Sequence, residues 1–324
     1  MRSPALLLLV TLALACRSRA SARAETTEAP PPWAYPVAPK DWTPPVDDGT
    51  PRRVPDSDLS LPTAQTRNAF FAPDWHPDAH PTMPDVVAKG RRPEVAACGY
   101  CHRAEGSGGP ENASLAGLPA AYIAQQLADF AGGARQSLVP ERVPMTMMTA
   151  LAKVLTPEEI AAAAAYFSAL PPRANIRVVE ADVVPETYLA GWVFADAKNG
   201  RTERLGARIL EVPEDLEQFE NRDSRARFIA YVPRGSVERG RALAADGGGG
   251  KTLACETCHG KGLRGLGVFP RIAGRSPTYL VRQLFDLKRG ARTGSGAAAM
   301  IPVVKNLAVD DMIALAAYAA SMDP

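Results

Sequence analysis

Cys98-Gly99-Tyr100-Cys101-His102 and Cys255-Glu256-Thr257-Cys258-His259 are the two places where this chain concentrates reactive side chains. Two thiols three residues apart, followed at once by an imidazole, suit one chemistry above others. The thiols add to the two vinyl groups of a porphyrin as thioethers, and the histidine reaches the iron as proximal ligand. Each pentad is therefore read as the attachment site of one haem c, with Cys98, Cys101, Cys255 and Cys258 as tethers and His102 and His259 as iron ligands. Zinc binding or thiol redox chemistry would need the same cysteines free. No acid, base or nucleophile cluster accompanies either pentad.

The pentads belong to a longer repeat. Adding 157 to each number from Cys98 through Arg135 gives the second copy without a gap: Tyr122 becomes Tyr279, Gln126-Leu127 becomes Gln283-Leu284, and Gly133-Ala134-Arg135 becomes Gly290-Ala291-Arg292. The final helices align at an offset of 152, Leu155 with Leu307 and Tyr166 with Tyr318. Duplication of one unit is the simplest account. The shorter offset also selects a sixth ligand, because it maps Met148 onto Met300, each seven residues before its matching leucine. Met145 and Met147 are the alternatives for the first iron, and flexible core filling is the other use of such methionines. Thioether sulfur favours Fe(II), so a His/Met pair raises the reduction potential.

Elements that would position these groups follow from local signals. Residues 84–90 give a short helix, Pro119–Phe130 an amphipathic one, and Thr156 with Glu159 a capping box that opens a helix ending before Pro171-Pro172. Ser236–Ala245 restarts a helix ahead of the second pentad. Between the units, residues 172–234 favour short strands at 176–179, 207–210 and 227–232. The Gly247–Gly250 loop before Lys251-Thr252 lacks the first glycine of a phosphate-binding loop, since position 245 is alanine, so no nucleotide site is expected.

Among the 324 residues, 46% are hydrophobic and 22% charged, enough for two small cores. Arg2 and the apolar run Ala5–Ala15 form a signal-peptide core too short to span a bilayer. Export to a periplasm follows, either as a soluble chain cut after Ala24 or through a lipid anchor on Cys16. Residues 25–82 are rich in proline with interspersed aromatics and read as an extended segment, part of it lying across the folded units. Net charge is unevenly spread. Residues 25–82 carry four basic and nine acidic side chains, whereas residues 235–324 carry twelve basic and seven acidic, net +5. The basic second unit suits docking to an acidic protein partner; nothing supports nucleic-acid binding. His76 and His80 read as surface histidines, with axial ligation of the first haem as the other use. Arg135 and Arg292 read as helix-closing residues or propionate contacts.

The pentads, Pro270-Arg271-Ile272-Ala273-Gly274, the Tyr279–Arg292 helix and Met300 together resemble the class I c-type cytochromes, in particular exported dihaem proteins with two such domains in tandem. The likeness covers residues 83–171 and 235–324. It implies a mainly α fold with haem domains at 83–171 and 235–324; the signal peptide 1–24, the Pro-rich extension 25–82 and the β-rich insertion 172–234 come from the local signals, and the last two depart from the minimal tandem protein. It also implies that the Pro270 carbonyl accepts a hydrogen bond from His259, with Ala113 in that place in the first unit. The expected function is single-electron transfer between redox protein partners through two His/Met haems, without enzymic activity. A dihaem peroxidase with one open iron, or an obligatory cytochrome subunit of a dehydrogenase or oxidase, is the alternative.

Overall fold

The computed structural model describes residues 28–44 and 46–324. The signal sequence, Cys16 and Pro45 lie outside the described residues. Ahead of the first pentad come two single-turn helices, α1 (Thr63–Thr66) and α2 (Asp85–Ala88). The first helical unit continues with α3 (Cys98–His102), α4 (Ala120–Ala131), α5 (Val143–Ala152) and α6 (Pro157–Ala169). Thr156 Oγ1 accepts from the Glu159 amide at 3.2 Å while the Glu159 carboxylate accepts from the Thr156 amide at 2.9 Å. That reciprocal cap and Pro157 at the first helical position fix where α6 starts. Val87, Val95, Leu118, Ile123, Phe167 and Leu170 form the core between these helices.

The second unit holds α8 (Ser236–Asp246), α9 (Glu256–His259), α10 (Pro277–Lys288), α11 (Ile301–Val304) and α12 (Val309–Ser321), after an intervening strand region that contains α7 (Leu216–Glu220). Its core is larger and includes Leu263, Phe285, Val304, Leu307, Met312 and Ile313. The duplication holds at the level of elements. Both ends of α4 and α10 are offset by 157 and both ends of α6 and α12 by 152. At that same 152, α5 matches the 3-10 turn Ser295–Met300 taken together with α11. One difference stands out: α8 crosses α12 so closely that a Cβ on Gly240 would collide with the Ala314 carbonyl, whereas the first unit has only the single turn of α2 at the equivalent place.

Between the units lie seven strands: β1 (Ile176–Glu180), β2 (Val183–Pro185), β3 (Thr187–Ala190), β4 (Val193–Asp196), β5 (Thr202–Arg204), β6 (Leu210–Pro213) and β7 (Phe228–Val232). β1 runs parallel to β7, which pairs antiparallel with β6. Alternate residues Phe228, Ala230 and Val232 are buried, the period of a half-covered strand. The insertion thus begins and ends in neighbouring strands, which carries the chain from α6 to α8. Of the segments expected to be strands, 207–210 is displaced: the strand starts at Leu210. The β2–β5 and β3–β4 pairs had no clear alternating signal.

The proline-rich segment is seated on both helical units and the insertion. Tyr35 is 3% exposed and donates to the Asp286 carboxylate at 2.8 Å. Arg282 donates to the Ala34 carbonyl, and Trp75 Nε1 to the Asn221 carbonyl, both at 2.8 Å. Proline leaves backbone acceptors without local donors, and side chains from elsewhere supply them here.

The two units meet about a pseudo-twofold axis. Gln136 N donates to Ala291 O, and Thr293 N to Ala134 O, both at 2.8 Å. Each bond is the other displaced by 157. Arg135 donates to Gln126 of its own unit and to Gln283 and Tyr279 of the other. Arg292 donates to Gln283 and to Gln126. These arginines therefore do not close helices: α4 ends at Ala131 and α10 at Lys288, and each guanidinium links a glutamine of its own unit to the glutamine of the other.

Candidate haem sites

Each pentad begins one short helix, which places the two cysteines a turn apart and the histidine at its buried end. His102 Nδ1 donates to the Ala113 carbonyl at 2.8 Å, and His259 Nδ1 to the Pro270 carbonyl at 2.7 Å. A carbonyl only accepts, so the proton sits on Nδ1 in both rings and Nε2 keeps the lone pair an iron requires. Both rings are held neutral. Burial, reinforced by the Arg103, Arg135 and Arg275 charges, pushes His102 down to about 4 against the opposing pull of the Ala113 bond. Burial likewise lowers His259. The tethering thiols are the reverse of reactive thiolates: burial pushes Cys98 up to about 12 and Cys255 up to about 11.

Seven arginines are buried. Among the described residues only Arg103 has a carboxylate within ion-pair distance, Glu111 at 3.5 Å. Arg135, Arg142, Arg271, Arg275, Arg282 and Arg292 rely on carbonyls, amide oxygens and hydroxyls instead, and Arg142 Nη2, Arg271 Nε and Arg275 Nε have no partner. Seven carboxylates are buried as well, among them Glu111, Glu211 and Asp286, so the guanidiniums are offset at longer range, and what stays unmet is the hydrogen-bonding capacity of their free nitrogens. Burial raises the Tyr279 phenol, yet Arg135, Arg275 and Arg292 outweigh it and bring it down to about 7. Each haem contributes two propionate carboxylates, and the unpartnered guanidinium nitrogens of Arg142, Arg271 and Arg275 are donors of the kind such carboxylates take.

Met148 lies mid-way along α5 and is partly buried, as is Met145, while Met147 is 37% exposed. Met300 ends the 3-10 turn and packs against the core of its unit. The histidines at 76 and 80 are not surface residues. His76 is 8% exposed and bonds Asp223 at 3.1 Å. His80 uses both ring nitrogens, Nε2 toward Asp74 at 3.1 Å and Nδ1 toward the Pro81 carbonyl at 2.9 Å. Burying the proline-rich segment against the first unit and the insertion is what removed them from solvent.

The two sites differ in their covers. Gly99 of the first pentad is buried, and a Cβ there would stand 2.7 Å from Ala72 Cβ and 3.0 Å from the Val87 carbonyl. Arg222 of the insertion stacks 3.7 Å from the Tyr100 ring centroid and donates to the Tyr100 carbonyl. Glu105 N donates to Ser224 Oγ. In the second pentad Glu256 and Thr257 are exposed. The residue after the histidine has positive φ in both copies, +74° at Gly260 and +69° at Arg103. Glycine takes that conformation freely; arginine is strained there. Aligning Arg103 with Gly260 at the offset of 157 would have exposed this residue in the sequence.

The fold and site define a class before any particular relative does: residues 87–171 match the cytochrome c family model, and the chain belongs to the class I c-type cytochromes. It carries two covalently bound haem c groups and is a dihaem electron-transfer protein. Its relatives include the thiosulfate dehydrogenase electron acceptor of Thiomonas intermedia (strain K12), 31% identical over 62% of this chain and 67% of that protein. Cytochrome c4 of Pseudomonas aeruginosa is 25% identical over 69% of this chain and 83% of that protein. Among solved structures, thiosulfate dehydrogenase (TsdBA) from Marichromatium purpuratum is 32% identical with a TM-score of 0.49; the match covers 72% of this chain and 38% of that one. No helix among the described residues is long and apolar enough to cross a membrane.

Proposed function

We propose that the chain relays single electrons through two six-coordinate, low-spin haems, the first held by Cys98, Cys101, His102 and Met148 and the second by Cys255, Cys258, His259 and Met300. The bound haem supplies one-electron iron chemistry. The protein fixes each imidazole through the Ala113 and Pro270 carbonyls, balances propionate charge with buried arginines, and leaves no iron position for a substrate. The carrying observation is the paired Nδ1–carbonyl bond in two copies of one unit. By likeness to the thiosulfate dehydrogenase electron acceptor, the donor is an exported dehydrogenase acting on an inorganic sulfur compound.

Electrons pass to or from that partner at the second site. Leu253, Leu266 and Val268 are 56%, 57% and 62% exposed and Ile301 is 41% exposed, with exposed Lys261 and Arg264 in the same loop as Leu266. Their counterparts in the first unit are Ala96, Gly109, Glu111 and Thr149, small or polar. An apolar patch rimmed by cations suits an acidic protein face. Export places the chain in a periplasm, soluble or held by lipid on Cys16.

The test uses the exported full chain. Intact mass and haem absorbance are expected to give two haems per chain, and ferric EPR two low-spin signals with no high-spin component. A resting high-spin haem that turns over peroxide would replace the carrier reading with an enzyme. Intact mass with Cys16→Ser as control separates the lipidated chain from one cut after Ala24.

A further inference from the structure

Arg275 lies within the second unit, 3% exposed, in the turn that leads into α10. One of its terminal nitrogens donates to the Arg271 carbonyl at 3.4 Å and the other to the Ser114 carbonyl at 3.0 Å. Those two carbonyls are equivalent positions of the repeat, 157 residues apart. Each also belongs to the residue immediately after a histidine-holding carbonyl, Pro270 for His259 and Ala113 for His102. A single guanidinium therefore joins the two loops that orient the two proximal imidazoles. The repeat counterpart of Arg275 is Leu118. A side chain bridging equivalent points near a twofold axis needs to be supplied only once, which is consistent with an arginine in one copy alone.

We infer that Arg275 is a positioning residue shared by both haem sites, setting the orientation of His102 and His259 together and coupling the two redox centres. The inference rests on the assignment of those histidines as proximal ligands. Arginine suits the role because its planar fork presents two donors at fixed divergence, which a lysine ammonium on a flexible stem does not reproduce. Neighbouring contacts support one side of the bridge: Arg271 Nη2 reaches Ser114 Oγ at 3.3 Å and the Ala116 carbonyl at 3.4 Å. The first unit lacks the proline that stiffens this loop in the second, and arginines of the other unit hold it instead.

The test is spectropotentiometry and ferric EPR of the full dihaem protein with Arg275→Gln and Arg275→Lys. Removing the cation disfavours the electron-rich ferrous state, so Arg275→Gln is expected to lower the reduced-to-oxidised ratio of both haems at a fixed ambient potential. A tenfold drop corresponds to about 59 mV for one electron. The g values of both low-spin signals shift with it. Arg275→Lys keeps the charge but not the bridge, and smaller changes at both haems are expected; it decides the matter alone if the glutamine variant does not accumulate. A change confined to one haem, no change at either, or a lysine variant identical to the parent would overturn the shared bridge. A parent protein lacking one haem by mass would instead remove the ligand assignment beneath it.

Discussion

The same five-residue chemistry sits in two different enclosures. Around the first pentad, Ala72 and Val87 pack on Gly99, Arg222 stacks on Tyr100, and a strained Arg103 ties the haem loop to the insertion. Around the second, the inner pentad residues face solvent, glycine takes the positive-φ position, and a long α8 packs on α12 where the first unit has a single turn. Duplication supplied two equivalent electron sites, and the added segments made them unequal. A buried site exchanges electrons chiefly with its neighbour, whereas an open one can meet a partner.

The ligands test the equality of the sites first, with the largest effects. Met300→Ala and Met148→Ala are each expected to lower one haem's potential by a few hundred mV, within the about 0.8 V that axial ligands span. Each should remove about half of the far-red absorption of Met-ligated ferric iron. If Met147→Ala or Met145→Ala halves that band while Met148→Ala leaves it intact, the alignment at 152 does not carry ligation in the first unit.

Surface charge tests their inequality. The pair Lys261→Glu with Arg264→Glu is expected to slow electron exchange with an acidic redox partner about tenfold at low salt, and the gap should narrow as screening increases. Lys153→Glu, exposed on the first unit, should change that rate much less in stopped-flow measurements. Equal effects at both faces would mean that either haem serves as the entry point.

Packing gives an intermediate effect. Gly99→Ala must push a methyl against Ala72 and the Val87 carbonyl, at a cost of about 1–3 kcal/mol by overpacking. The equivalent Glu256→Ala, on an exposed position, should stay within about 0.5 kcal/mol. Denaturant melts of the holoprotein compare the two directly.

Much of this was legible in the residues. The pentads, the two offsets and the cap at Thr156 depend on local spacing, and spacing survives in sequence. The destination of the arginines did not, because Arg135 and Arg292 look like helix ends until the twofold boundary brings Gln126 and Gln283 to them. Arg275 left only a broken repeat against Leu118, a signal without meaning until the two carbonyls were seen side by side. The histidines failed for a related reason: a hydrophilic residue among prolines reads as exposed, and only long-range docking of Trp75 buries its neighbours.

His80 gives the smallest and most specific contrast. Its Nε2 faces the Asp74 carboxylate, and its Nδ1 lies 2.9 Å from the Pro81 carbonyl and 3.1 Å from the Tyr166 hydroxyl, a setting with two pure acceptors that favours the protonated ring. The Asp74 bond, opposed by burial and helped by the Pro81 carbonyl, raises its pKa above the ordinary 6.5. A raised folded-state pKa stabilises the protein fully below the unfolded value, and the gain fades as pH rises through the folded value. The partly exposed setting keeps that gain under about 1 kcal/mol. The stability difference between the parent and His80→Gln is therefore expected to be largest below pH 6 and to vanish in alkaline solution, as measured by melts across pH. Counting forward 157 residues from His80 reaches Val237 in α8, which cannot titrate, so the pH dependence removed by His80→Gln belongs to the first unit. A pH-independent difference would mean that His80 acts through packing alone, and that this proton does not distinguish the two enclosures.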